Sequence, residues 1–125
     1  MSSQFVNVFA PPPILMAQYS GDISRMLEWI EGKKFREGIG NLIIDEDDKC
    51  LDNKEFVSLK KWIGKRISEY TETVLNSSHP IEIQQSWINI NQKGMNHRRH
   101  YHINSFLSGV FYLDSSSEYH SPLMF

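Results

Sequence analysis

Cysteine is almost absent from this chain of 125 residues, in which Cys50 is the one example. No disulfide can therefore form within the chain, which suits a reducing compartment. Long apolar runs are also lacking: the run at residues 14–16 is far shorter than the roughly 20 residues that a membrane-spanning helix needs. No basic region followed by an apolar stretch opens the chain, so no signal peptide is predicted. From these absences we expect a soluble, cytoplasmic protein without a membrane partner.

An excess of positive charge is missing as well. The chain has 13 Lys and Arg against 15 Asp and Glu, which gives a net charge of −2, whereas a general nucleic-acid binder usually carries a strong basic excess. The motifs GxSxG and GxGxxG and the P-loop are absent, as are internal repeats. Composition therefore argues against general nucleic-acid binding and gives no sign of a nucleotide-binding fold.

What the chain does have is the composition of one globular domain, with 40% hydrophobic and 12% aromatic residues. We treat residues 1–125 as a single domain with two parts. Residues 1–80 are predicted to hold a short strand at 4–9, which three prolines end, and two helices, at 22–35 and 53–76. Both helices follow from apolar residues repeating every three to four positions. The stripes are Ile23, Met26, Leu27 and Ile30 in the first helix, and Phe56, Leu59, Ile63, Ile67, Tyr70 and Val74 in the second.

The hydrophobic period changes to two after residue 80, which predicts strands at 81–91 and 105–113. Gln92, Lys93 and Gly94 are predicted to form a turn, and residues 36–52 a loop. Trp87 is interpreted as a core aromatic, and Gly64 as a position of close helix packing. Two helices followed by strands predict an α+β fold whose strands close as a sandwich or barrel.

His100 and His102 are the candidate metal ligands. On a strand, residues two apart point to the same face, so two imidazoles at this spacing can bind one ion. Imidazole suits Fe, Zn, Cu and Ni, and a non-haem iron centre takes three protein ligands. Candidates for the third ligand are His97, Asp114, Glu118 and His120. The alternative is a surface loop with solvated histidines, in which Arg98 and Arg99 either bind an anion or are only surface charge.

The wider context of these histidines resembles a known family. Residues 86–94 read SWININQKG, and residues 100–113 read HYHINSFLSGVFYL. This pattern is similar to that of a bacterial and phage family of oxygenases dependent on 2-oxoglutarate and Fe(II), in which a Trp-x-Asn strand and a glycine turn precede H-x-H-x-x-S-x-L-S-G-V-Y-Y-L. The upstream order of strand, prolines, helix, acidic loop and long helix is also similar.

The resemblance implies a fold, an activity and cofactors. The fold would be a double-stranded β-helix, related to jelly rolls and cupins, with the N-terminal helices packed on it. The activity would be that of a dioxygenase or hydroxylase that decarboxylates 2-oxoglutarate and oxidises a C–H bond. Fe(II) would be the metal and 2-oxoglutarate the co-substrate. His100 matches the first iron ligand, while His102 stands where the wider superfamily has a carboxylate, and either ligates iron or lies beside it. Gly109 is interpreted as a close-packing position.

One departure from the family limits these expectations. Family members have a second iron-binding His on a later strand and, after it, an Arg that binds 2-oxoglutarate; neither has a match here. A jelly roll uses about eight strands, so we expect only its first half, over residues 81–125, and a chain that is inactive alone. The substrate is not predicted. The alternative function is a non-catalytic, jelly-roll-like binding module, or one that forms homo-oligomers through an exposed sheet edge.

Overall fold

A computed structural model gives the fold and describes residues 13–38, 40–44 and 48–113. Seven elements follow one another along this part of the chain, and their bounds are given below. The strand predicted at residues 4–9 and three candidate metal ligands lie outside the described residues. Those three candidates are Asp114, Glu118 and His120.

The first helix, α1, spans Ser24–Glu31. It is shorter than the predicted range of 22–35, because the chain leaves the helix at Gly32 and enters a strand at Phe35. The carboxylate of Asp22 accepts hydrogen bonds from the backbone N–H and the hydroxyl of Ser24, at 2.9 and 2.8 Å. These bonds lower the pKa of Asp22, the backbone N–H contributing most. Asp22 thus stabilises the chain just before the helix.

The second helix, α2, spans Val57–Thr73. Two short 3₁₀ turns precede it, Cys50–Asp52 and Lys54–Phe56, so regular α-helix begins four residues later than predicted. Lys60 donates a hydrogen bond back to the carboxylate of Asp52 across this junction, which lowers the pKa of Asp52. No heavy atom of the described residues lies within 4 Å of where a Cβ on Gly64 would stand. The interpretation of Gly64 as a close-packing position is therefore wrong.

A three-stranded antiparallel sheet packs beside the helices. Its strands are β1, Phe35–Glu37, β2, Leu42–Ile44, and β3, Asn89–Ile90, in the order β1-β2-β3. Phe35 pairs with Ile44 in the β1–β2 hairpin, and Leu42 pairs with Ile90 across β2–β3. The prediction of a loop over 36–52 is wrong here. Two glycines pointed to a loop, whereas the residues on either side of them form the paired strands of a hairpin.

The two predicted long strands are largely absent as paired strands. Of residues 81–91, only Asn89–Ile90 forms a strand, and a bridge at Ser86 adds one further pairing. No strand is assigned within residues 105–113. The predicted alternation nevertheless persists: Ile88 is buried between exposed Trp87 and Asn89. A hydrophobic period of two indicates which side chains of an extended segment are buried. It does not show that a neighbouring backbone is present, and a strand requires one for its hydrogen bonds.

The core is small, and the helices, the 3₁₀ turns and the sheet all contribute side chains to it. Met26 of α1, Ile44 of β2, Phe56 before α2 and Leu59 within α2 are each at most 4% exposed. Cys50 and Ile88 complete this group of buried apolar side chains. Next to it Tyr19, Trp62 and Phe111 pack edge to face, with ring centres 5.4 to 6.1 Å apart. Phe111 thereby anchors the C-terminal end of the described residues to α2.

The α+β class is confirmed by these helices and this sheet. Three short strands within the described residues do not by themselves make a jelly roll, and the division of the chain at residue 80 stays a prediction. Gly109 has no heavy atom of the described residues within 4 Å of where its Cβ would stand, so its interpretation as a close-packing position is wrong. None of the described helices has the length and apolar character needed to cross a bilayer.

Candidate metal centre

The loop that carries the histidines rests against the β1–β2 hairpin. Gly40, in the hairpin turn, has a φ of +81°, and a Cβ there would overlap the carbonyl of Asn96 and stand 3.5 Å from the Cα of His97. A glycine is required on both counts, because a side chain would meet the loop and because positive φ disfavours other residues. The missed hairpin therefore supports the candidate site directly.

Two turns shape the histidine segment. In the first, the N–H of Met95 donates to the carbonyl of Gln92 at 3.0 Å, and Gly94 has a φ of +86°. Positive φ at the third position is what a type II turn needs, so the predicted turn at 92–94 is confirmed. In the second, the N–H of Ser105 donates to the carbonyl of His102 at 3.4 Å. The histidines lie between these two reversals of the chain.

A set of hydrogen bonds holds the start of this segment to the chain before α2. Ser86 bonds through its backbone to Asp48 and Cys50, at 2.8 and 2.9 Å. Its hydroxyl also accepts a hydrogen bond from the N–H of Leu51 at 3.0 Å. These contacts join residues more than thirty positions apart in sequence. Ser86 thus positions Trp87, the next residue, relative to the core.

His100 has a defined hydrogen-bond partner on one side of its ring. Its Nδ1 lies 2.8 Å from the carbonyl oxygen of Arg98. A carbonyl oxygen can only accept, so Nδ1 carries the proton and donates it, and in the neutral ring Nε2 keeps a free lone pair. Metal-bound histidines commonly donate their other N–H to a carbonyl in this way. His100 is therefore arranged as a metal-binding imidazole would be.

His102 lies beside His100. The two ring centres are 4.9 Å apart and the rings are nearly perpendicular, at 86°. Two imidazoles on one ion, with metal–nitrogen bonds of about 2.1 Å, would have ring centres roughly 4.5–5 Å apart, so this spacing suits a shared ion. The other neighbour of His102 is Trp87, with ring centres 5.4 Å apart. Trp87 is 39% exposed, and its interpretation as a core aromatic is wrong.

His97 is the third imidazole of the cluster. Its ring centre is 4.3 Å from that of His100, with an angle of only 31° between the rings. Partial burial, together with the charges of His100 and His102, lowers the pKa of His97 and favours its neutral form. The two rings are tilted and face each other closely. Within residues 13–38, 40–44 and 48–113, no group of three metal-binding side chains has an arrangement that could hold an ion.

The residues present fit an iron site in part. Imidazole nitrogen is a ligand that iron accepts. The tautomer of His100 leaves Nε2 free for a metal, and the distance between the rings of His100 and His102 suits a shared ion. The described residues bring no carboxylate into this cluster, and His97 stacks on it. His100 and His102 thus remain the predicted ligands, with the third position unassigned.

Residues 85–123 match the profile of a protein family described as "Putative 2OG-Fe(II) oxygenase". The resemblance predicted from the two motifs is confirmed over this segment, which includes both candidate ligands. No curated protein and no solved structure is significantly similar to the chain. The match does not include the helices, so the resemblance of the upstream half stays a prediction.

Several residues that shape the site could not be assigned from the sequence. Gly40 had only a weak local signal, because Phe35–Glu37 before it has one apolar residue, whereas Leu42–Ile44 after it is apolar throughout. Ser86 had none, since its partners lie at residues 48–51. The contact of Trp87 with His102 likewise depends on how two turns fold the chain back.

Proposed function

We propose that this chain carries part of the iron site of an oxygenase dependent on Fe(II) and 2-oxoglutarate, with His100 as a ligand. One observation supports the proposal most: Nδ1 of His100 donates to the carbonyl of Arg98, which leaves Nε2 for a metal. It does so inside the segment that matches an oxygenase family. The finer class we propose is a dioxygenase or hydroxylase on a jelly-roll core.

His102 is the second ligand in this proposal. Its spacing of 4.9 Å from His100 suits a shared ion, and its contact with Trp87 restricts the rotation of its ring. If His102 does not ligate, the same contacts make it a neighbour that orients the site. The two roles differ in outcome, because removing a ligand weakens metal binding more than removing a neighbour does.

In such enzymes the oxidising chemistry comes from Fe(II), 2-oxoglutarate and O₂ together, and the protein supplies binding and orientation. In this chain the carbonyl of Arg98 fixes the ring of His100, and Trp87 packs on His102. The backbone of Gly40 supports the loop at His97. Each of these contacts reduces the freedom that the imidazoles would lose on binding a metal, which favours affinity.

Anaerobic titration calorimetry with Fe(II), in the presence of 2-oxoglutarate, tests the proposal. We expect the unmodified chain to bind Fe(II), and His100→Ala to bind it more than about tenfold more weakly, since even loss of a ligand's hydrogen-bond partner costs that much. His79→Ala is the matched control, because His79 is an exposed histidine outside the cluster. Equal binding by His100→Ala and His79→Ala would contradict the assignment of His100.

The activity of the chain alone needs a separate measurement. The described residues assemble two suitable imidazoles and no third ligand, so we expect little conversion of 2-oxoglutarate to succinate by the 125-residue chain. Succinate is measured after incubation with Fe(II), 2-oxoglutarate and oxygen. Rapid turnover would show that the chain completes its site unaided and would overturn this expectation.

A second candidate function, a self-associating module, is favoured by the exposed apolar side chains after the histidines. Ile103, Val110 and Tyr112 are 73%, 64% and 59% exposed, and residues 105–113 carry no charged side chain that would discourage pairing. Sedimentation velocity over a range of concentrations tests this candidate. A metal-free oligomer that Val110→Lys converts to monomer would support it, and a monomer at all concentrations would exclude it.

A further inference from the structure

The residues around the histidine cluster have a charge opposite to that of the whole chain. Residues 83–113 contain no Asp or Glu, but they include Lys93, Arg98 and Arg99. The net charge of −2 therefore comes from the rest of the molecule. Arg98 and Arg99 are exposed, and neither is paired with a carboxylate of the described residues. A cationic segment that contains no acidic residue attracts an anionic ligand.

Two exposed aromatic side chains follow these arginines closely in sequence. Tyr101 is 83% exposed and Phe106 is 73% exposed. The turn from His102 to Ser105 lies between them in the chain. We call Arg98, Arg99, Tyr101 and Phe106 the basic aromatic patch. Two exposed rings close in sequence to two exposed guanidinium groups suit a ligand that has both negative charge and flat faces.

We propose that the basic aromatic patch binds a single-stranded nucleic acid, with phosphates at Arg98 and Arg99 and bases stacked on Tyr101 and Phe106. Grooves that bind single strands combine the same two features, cations for the backbone and aromatic rings for the bases. An acidic peptide would satisfy the arginines but would leave the rings without a stacking partner. A duplex hides the faces of its bases, so it would not use the rings either.

The composition of the chain sets limits on this interaction. A net charge of −2 argues against general nucleic-acid binding, but it allows a short contact with a strand at one positive surface. The patch directly adjoins His100, so taking the strand as the substrate class rests on the proposed oxygenase function. The binding itself does not need iron and is measured in the presence of a chelator. A failure of iron binding and a failure of strand binding are therefore distinguishable.

Fluorescence anisotropy with a short labelled oligothymidylate, at low salt and with EDTA, tests the proposal. Two phosphate contacts predict a slope of about −1.4 for the logarithm of the binding constant against that of the salt concentration. Arg98→Ala combined with Arg99→Ala is expected to remove most of that slope. The matched control is Lys61→Ala combined with Lys65→Ala, which removes the same charge from exposed positions on α2.

Variants of the rings separate stacking from charge. Tyr101→Ala is expected to weaken binding about fivefold or more, the usual effect of losing one stacked base, while circular dichroism shows an unchanged fold. Affinity unaffected by Tyr101→Ala, or lowered equally by the two double variants, would overturn the proposal. Competition as strong as that of the unlabelled oligothymidylate by polyglutamate, by a duplex of the same length or by thymidine monophosphate would also overturn it. These results would indicate, in turn, a ligand that is an acidic peptide, a duplex or a single nucleotide.

Discussion

At His100, one hydrogen bond decides which nitrogen is available for chemistry. The spacing of His100 and His102 predicted only that two imidazoles share a face. It could not predict the tautomer, because the acceptor is the carbonyl of Arg98, and its position depends on the path of the loop. Residue types at a motif are therefore readable from sequence, whereas protonation and orientation follow from backbone atoms that any residue would supply.

Gly64 and Gly94 have the same open space around them but different backbone conformations, so alanine at each position tests the effect of conformation without a change in packing. Gly64 lies inside α2, and Gly94 has a φ of +86°; no heavy atom of the described residues is within 4 Å of either missing Cβ. We expect Gly64→Ala to raise the free energy of unfolding by about 1 kcal/mol, because alanine favours a helix interior.

Gly94→Ala is the matched control for that change. It adds the same methyl group, but in a left-handed conformation that costs an L-residue roughly 1–2 kcal/mol. Urea denaturation followed by circular dichroism measures both variants. Opposite signs are expected, and a loss of stability in Gly64→Ala would show that Gly64 is in contact with something after all.

At the scale of elements, periodicity located the helices better than the strands. The stripes containing Met26 and Leu59 predicted both helices, and these two residues are buried in the core. A helix closes its hydrogen bonds within one segment, so a local pattern suffices to predict it. The strands failed where pairing is nonlocal: among the described residues β3 keeps two residues, and both pair with β2. The hairpin was missed because its three-residue strands are too short to show alternation.

Ser86 joins two elements that the sequence separates widely, which makes it a test of how the histidine segment is held. In Ser86→Ala the N–H of Leu51 loses its acceptor, and we expect the free energy of unfolding to fall by about 1–2 kcal/mol. Ser105→Ala is the control, since Ser105 is exposed and its bond to His102 runs through the backbone. Urea denaturation gives both values, and equal stabilities would contradict a structural role for the Ser86 hydroxyl.

For the molecule as a whole, the size of the core governs stability. The described residues bury six apolar side chains, and these come from both helices, the sheet and the segment before α2. Such a core couples the elements. The histidine segment is attached to it through Ile88, so the position of this segment depends on the packing of the other core side chains. The sequence predicted that Phe56 and Leu59 belong to the core. It did not identify Cys50 or Ile44 as core residues, because both lie within the segment that was predicted to be a loop.

Phe56 is the best place to test that coupling. It is 1% exposed, and its ring packs edge to face on Trp29 with 5.2 Å between ring centres. We expect Phe56→Ala to lower the free energy of unfolding by about 3–5 kcal/mol, a large part of the 5–15 kcal/mol that a domain usually has. Phe106→Ala removes the same atoms from a side chain that is 73% exposed, and it should change stability by less than about 0.5 kcal/mol. Urea denaturation of the two variants measures the contrast. Similar losses in both would mean that Phe106 is covered in solution, and that the small core is not what holds this molecule together.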